Sequence, residues 1–338
     1  MSDHSVSGYR MRGIVFANKG PGASQRSAAA IASAPEEDLV FRGGRILPDV
    51  SFKTFYVGKV WAKPKLSDAR RKLDLALAAA MSDSTLNEIV GQYFTESQIS
   101  TTAHPSAVLD VPIQDVFDKG DVHALAEQVF TSGALASVDL NGCVINFVLP
   151  PGAVLSSDGG GKAQKKPAGH KKRPGTPEDE EQDSRHGLGG YHGSIHIQRP
   201  GNPVTVLYSV AVWSENDNGI AIPDWEPWEN VCATLYHELN EARTDPDVED
   251  AITTGNVQFV GWNSASGKEI GDEPIEEAGS DLRQVFKKIP IAAEPRTVPI
   301  QLMWSNRVNG PEAPGSDAVA TAQASRPSRH AASSRARP

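Results

Sequence analysis

His237, Glu238 and Glu241 form a His-Glu-x-x-Glu run in which two metal-ligand side chains stand four positions apart. On a helix, residues four apart lie one above the other, so His237 and Glu241 would point the same way. An imidazole and a carboxylate on one face can hold a divalent cation. Glu238 sits beside the first of them, where metallohydrolases keep the carboxylate that takes a proton from activated water. Two more carboxylates, Glu269 and Asp272, follow in Gly267-Lys268-Glu269-Ile270-Gly271-Asp272, with Glu273 directly after. One of the pair is expected as a ligand and the other as an outer clamp on His237. The pattern is less selective than His-Glu-x-x-His, because His and Glu four apart also make an ordinary pair on a helix surface.

The elements that must position these groups can be traced from the same chain. Asp224-Trp225-Glu226-Pro227 is a helix start, with acidic residues flanking a proline that tolerates the first turn, and Thr244-Asp245-Pro246 is a stop. Between them a helix over residues 227–242 would bury Val231, Leu235 and Leu239 on a stripe distinct from the His237 face. Ordered structure is expected from about Asp38, first as a hairpin over residues 39–61 turning at Gly43-Gly44. A helix capped by Ser67 follows, with Ala69, Leu73, Leu77 and Ala80 on one side, and further helices are expected at 85–94 and 121–132. Strands are expected at 142–149, 194–198, 204–212, 257–262 and 298–304. The reading is of one mixed α/β (α+β) domain over 38–310, flanked by a disordered leader (1–37) and tail (311–338). The charged, Gly-rich stretch 156–190 is expected to be a solvated insertion loop.

With 338 residues the chain can bury a full core without disulfide staples, and its two cysteines, Cys143 and Cys232, are read as core residues. A net charge of −9 argues against nucleic acid or an anionic membrane as partner. No run of about 20 apolar residues is present, so no transmembrane segment is expected. No secretion signal is recognisable either, which makes a soluble, cytoplasmic protein the default expectation. His192 and His196 would share one face of a strand; His192 is divided between facing the site, as a catalytic group, and a hydrogen-bonded structural role, whereas His196 is read as structural. Trp213, Trp225, Trp228, Trp262 and Trp304 are read as core aromatics and not as a sugar platform.

Two resemblances add to this reading. The stretch His237-Glu238-Leu239-Asn240-Glu241, followed by Glu269-Ile270-Gly271-Asp272, resembles the layout of thermolysin-type zinc peptidases, in which a His-Glu-x-x-His helix precedes a ligand Glu and a supporting Asp. That resemblance implies His237 as a ligand, Glu238 as the base, Glu269 as the distal ligand and Asp272 as the supporting group. Glu241 departs from it, standing where the second histidine would be, and two carboxylates leave the ion a poorer Lewis acid. The chain is also similar to the EXORDIUM, or phosphate-induced, proteins of plants and their bacterial relatives. That similarity rests on His237-Glu238-x-x-Glu241 with Thr244-Asp245-Pro246, on Phe41-Arg42-Gly43-Gly44-Arg45-Ile46-Leu47, on Tyr56-Val57-Gly58-Lys59, on Asn146-Phe147-Val148-Leu149 and on Gly190-Tyr191-His192-Gly193-Ser194. Plant members are extracellular and linked to growth control, and they carry cysteines where this chain has residues 183–189.

The expectations are therefore a zincin-like twisted sheet packed on helices and a metal site of His237, Glu241, Glu269 and Asp272, with Glu238 and His192 as catalytic groups. The expected cofactor is a divalent metal, zinc first, with manganese or calcium admitted by oxygen-rich ligation. The function implied is a metal-dependent hydrolase acting on a peptide or protein substrate. The alternatives are a non-catalytic binding or signalling protein with a structural metal, and a protein that binds no metal.

Overall fold

Runs of β-branched and aromatic residues come together in the computed structural model as one five-stranded sheet. The structure describes residues 33–95, 98–157, 183–201 and 203–315. The strands are β1 (Asp49–Val57), β2 (Ser100–Leu109), β3 (Cys143–Val148), β4 (Gly190–Ile197) and β5 (Val204–Ala211), in the order β2-β1-β3-β5-β4. All neighbours are parallel except β4, which runs antiparallel to β5 and ends the sheet.

Parallel strands need crossovers, and helices supply them on both faces. Between β1 and β2 run α1 (Pro64–Ser82) and α2 (Ser84–Gly91), and between β2 and β3 runs α3 (Lys119–Thr131). One face packs Leu73, Leu77 and Met81 of α1 against Phe52, Tyr56, Val144 and Val148, and the other packs Val122, Ala126 and Val129 of α3 against Ile145, Phe147 and Val210. Covered twice, β3 is buried along its whole length, which is why Cys143-Val144-Ile145-Asn146-Phe147-Val148 reads as an almost unbroken apolar run. Both cysteines are buried and free.

On the α1 face lies α4 (Pro227–Thr244), flanked by α1, by β4 and β5, and by a hairpin of β6 (Phe286–Pro290) and β7 (Thr297–Gln301). Its start carries a capping box between Glu226 and Glu229 and a proline in the first turn, as the sequence predicts. After it come α5 (Val248–Thr254), which rests on β4, and α6 (Asp272–Ala278). This is the expected mixed sheet packed on helices, with the His237 helix against one face. Among the described residues no helix is long and apolar enough to cross a membrane.

Several elements differ from expectation. There is no hairpin over 39–61: Val40–Phe41 pairs with Trp262–Asn263, while β1 enters the middle of the sheet. Gly44 carries the chain past the 259–260 backbone, where a side chain would collide with Phe259 O at 2.5 Å. The first helix starts at Pro64 with Lys63 as its cap, three residues before Ser67. Strand β2 was not expected, because Pro105 and its run of small polar residues argue against a strand; it lies at the sheet edge, where proline is tolerated. Residues 257–259 form a 3₁₀ turn in place of a strand, and the expected strand at 298–304 divides into β7 and the short segment Trp304–Ser305.

The boundaries of the three solvated segments also move. Ala34 is buried and Pro35–Glu37 forms a 3₁₀ turn, so order begins before Asp38. Ser184 and Leu188 are buried and Gly190 opens β4, so residues 183–190 belong to the fold and not to the insertion. Gly310–Pro311 pairs with Trp304–Ser305, and Glu312 binds Arg307. The rest of those three segments, residues 1–32, 158–182 and 316–338, lies outside the described residues.

The packing of α5 on β4 depends on one carboxylate. Glu249 accepts from Ser194 N and from Tyr208 Oη, each at 3.1 Å, and faces Lys119 Nζ and His123 Nε2. Burial would raise its carboxyl, but the hydrogen bonds and charges of His123 and Lys119 outweigh that and hold it at about 2. A carboxyl held below its unfolded value contributes stability that is complete above pH ~4.5 and is lost as pH falls towards 2. Glu249→Gln is therefore expected to cost on the order of 2 kcal/mol at pH 7, and urea unfolding at several pH values should show the gap to wild type closing between pH ~4.5 and ~2.

Candidate metal centre

The site forms where α4, β4 and the loop into α6 meet. His237, Glu238 and Glu241 come from α4, His192 from β4, and Glu269 and Asp272 from the loop and first position of α6. Of these, His237 is 0%, Glu238 1%, Glu241 2%, His192 4% and Glu269 8% exposed, so five groups that prefer water have almost none. The sequence places Val231, Leu235 and Leu239 on a buried stripe, and they are buried, but the polar face of α4 is buried as well. The β6–β7 hairpin and the segment from Gly261 to Asp272 close over it.

His237 is fixed through its outer nitrogen. Its Nδ1 lies 2.7 Å from Gln301 Oε1, and Gln301 Nε2 donates to Gly271 O at 2.6 Å. Because the amide nitrogen is committed to a carbonyl, its oxygen is the atom left for Nδ1, which therefore carries the proton. In the neutral ring Nε2 is then the lone pair. It stands 2.9 Å from Glu241 Oε1 and 4.0 Å from Asp272 Oδ1 but makes no hydrogen bond with either. Three ligand-type atoms thus converge, lying within 4.8 Å of one another. Gly271 makes room for this: a Cβ there would meet His237 Nδ1 at 2.3 Å. Its backbone N also donates to Glu241 Oε1 at 3.3 Å.

His192 faces the second oxygen of Glu241. Its Nδ1 is 3.4 Å from Glu238 Oε2 and 3.5 Å from Glu241 Oε2, while Nε2 is 3.3 Å from Asp245 O and 3.6 Å from Glu269 Oε1. His192, Glu238 and Glu241 make a second group of metal-ligand atoms within 4.8 Å of one another. Glu238 Oε1 and Glu269 Oε1 are buried without a hydrogen-bond partner.

The electrostatics follow from burial. Burial pushes the carboxyls of Glu238, Glu269 and Asp272 up. Burial would do the same to Glu241, but the imidazoles of His237 and His192 prevail and bring it to about 2. Burial disfavours a charged His237, yet Glu241 and Glu238 lift it to about 9. Neutrality inside this space requires positive charge, supplied by protons or by a cation. These buried His and Glu groups could hold a metal ion, and the orphaned His237 Nε2, Glu238 Oε1 and Glu269 Oε1 are the atoms that such an ion would satisfy.

All six expected residues are brought together, but two roles differ from the thermolysin-type layout. Asp272 stands with His237 and Glu241, whereas Glu269 lies on the His192 side. The outer clamp on His237 is Gln301, which nothing in the sequence singles out, since it lies 64 positions downstream in an ordinary strand. Glu273 turns away to pair with Lys268. His196 pairs with Asp250 and Thr205, outside the site. A further feature hidden from sequence is a buried polar row across the sheet, in which Thr54, Asn146 and Ser209 are in register with His192 and bonded as Ser209 Oγ to Asn146 Oδ1 (2.9 Å) and Asn146 Nδ2 to Thr54 Oγ1 (3.3 Å).

Compared with known proteins, the chain matches no family model and no curated protein.

Two substitutions outside the ligand set test how His237 is held. Gln301→Leu removes the acceptor from Nδ1, and metal affinity measured by chelator competition should fall about 10 to 100-fold, the range for outer-contact changes, with helix content retained. Gly271→Ala drives a methyl into the imidazole and should lower affinity at least as far. Unchanged affinity in both would mean that the ring orientation does not matter for metal binding.

Proposed function

We propose that the protein is a metal-dependent hydrolase acting on peptide bonds, with a divalent cation held by His237, Glu241 and Asp272. The observation that carries this reading is His237 itself. Its Nδ1 is committed to Gln301, and its Nε2, buried without a hydrogen-bond partner, converges with two carboxylates. A bound divalent ion would supply Lewis acidity, polarising a carbonyl and making water easier to deprotonate. Glu238 is the group to accept that proton, because its Oε1 is buried, has no partner and follows directly on His237. His192 Nδ1 stands 3.4 Å from the other oxygen of Glu238. One imidazole with two carboxylates suits zinc and also admits manganese or calcium. Membership of the EXORDIUM family, carried by the same His-Glu-x-x-Glu and Gly-Tyr-His-Gly elements, is part of the proposal.

A second reading is supported by the burial of the site. His237, Glu238 and Glu241 are each no more than 2% exposed, as befits an ion that holds α4 to the α6 loop without turnover. Entry for a substrate would have to pass Glu269 and Asp272, whose side chains are 10% and 12% exposed.

Glu238→Gln separates the two. In the hydrolase it should leave the ion on His237, Glu241 and Asp272 and the thermal stability nearly unchanged while lowering peptidase turnover by on the order of 10² or more. The assay is a broad peptide library with zinc, manganese or calcium supplied. A wild-type protein that is folded, metal-loaded and inert across that library overturns the hydrolase reading and leaves the structural one.

A further inference from the structure

Glu241 presents its two oxygens to two different imidazoles. Oε1 lies 2.9 Å from His237 Nε2, and Oε2 lies 3.5 Å from His192 Nδ1. The two halves of the site are built alike. On one side, Gln301 Oε1 takes the outer proton of His237; on the other, the Asp245 carbonyl stands 3.3 Å from the outer nitrogen of His192. A carbonyl oxygen only accepts, so the proton of a neutral His192 belongs on Nε2, and Nδ1 is left as a lone pair. That lone pair faces Glu238 Oε2 at 3.4 Å and Glu241 Oε2 at 3.5 Å, three electron-rich atoms buried together. Such a group is stable only with a positive charge among its members.

Charge counting points the same way. Glu238, Glu241, Glu269 and Asp272 carry four negative charges when ionised, and neutral imidazoles add none. One divalent ion leaves two of those four charges uncompensated in a space nearly closed to water, and a second ion offsets them, while the buried Asp245 carboxyl beside them accepts from Gly261 N. A carboxylate with one oxygen on each of two ions fits the spacing of about 3.5–4 Å common to two-metal hydrolytic centres.

We propose that the centre holds two divalent cations bridged by Glu241, the second bound by His192, Glu238 and Glu241. The inference rests on the reading of the His237 group as a metal site. It extends that reading by giving His192 a ligand's role, and it holds whether the centre is catalytic or structural. Glu238 turns Oε2 to the second ion, and its other oxygen, Oε1, is the atom without a partner. Glu269 Oε1, orphaned and 3.6 Å from His192 Nε2, is an outer group on that side.

The test is to strip the full-length protein with a chelator and titrate it with manganese(II), reading stoichiometry by calorimetry and ion coupling by electron paramagnetic resonance. Two ions per chain with an exchange-coupled spectrum are expected for wild type. His192→Ala should fall to one ion with an uncoupled six-line spectrum, and His237→Ala should also lose one. A wild-type protein that binds a single uncoupled ion overturns the two-ion centre while leaving the His237 site intact. No binding at all removes both proposals together. Retention of two coupled ions by His192→Ala, or loss of both, overturns the assignment of the second site to His192. Should His192→Ala not fold, the wild-type stoichiometry and spectrum decide the matter without it.

Discussion

Like charges held together out of water are the constraint from which the rest of this structure follows. An ionised carboxylate buried without a partner costs several kcal/mol, and here Glu238, Glu241, Glu269 and Asp272 lie in one space. A fold can tolerate that only if the groups cannot escape and if a countercharge can enter. Escape is blocked because α4 is packed by α1, by three strands of the sheet and by the β6–β7 hairpin. Rotation is blocked as well, since Gln301 bridges His237 to the Gly271 carbonyl and Gly261 N donates to Asp245 Oδ1 at the end of the helix. Metal sites whose ligands are oriented by such outer contacts keep their geometry before the ion arrives, so little ordering remains to be done on binding.

The same constraint accounts for glycine at position 271. The loop into α6 must pass close enough for its carbonyl to reach Gln301 and its N–H to reach Glu241 while leaving the imidazole in place. Any side chain there would stand 2.3 Å from the ring. Trp304 N donates to the Ile270 carbonyl at 2.8 Å and holds this loop against the far end of the chain, so residues from three separate parts of the sequence fix one ring. Local sequence carries only one of those parts.

That division explains what could be read in advance. The helix of His237 was legible because its cap, its proline, its four-residue spacing and its stop are all local. The carboxylates of the 269–272 segment were legible as ligand types, and all six expected site residues do converge. Their roles were not, because whether Glu269 or Asp272 reaches His237 depends on the direction of the turn at Gly271, which tertiary packing sets. Gln301 was invisible for the same reason: an amide in a strand has no spacing signal. Strand β2 failed to register because its edge position permits Pro105 and a polar surface, and the expected hairpin failed because Phe41 pairs with Trp262, more than 200 residues away. Alternation marks a strand, but the partner of a strand is chosen by the whole fold.

A polar row through the middle of an apolar sheet calls for its own account. Thr54, Asn146 and Ser209 are 2%, 0% and 0% exposed, and each occupies a position where an aliphatic residue would pack at lower cost. Asn146 is satisfied by Thr54 on one side and Ser209 on the other, and His192 stands next in register. Replacing the row by valines would remove dipoles from the strands in register with His192. Partly satisfied networks are costly, and fully satisfied ones specify a single arrangement. The row therefore places oriented dipoles beside the strand that presents an imidazole to Glu238 and Glu241, and it links the centre of the sheet to the buried charged cluster at its edge.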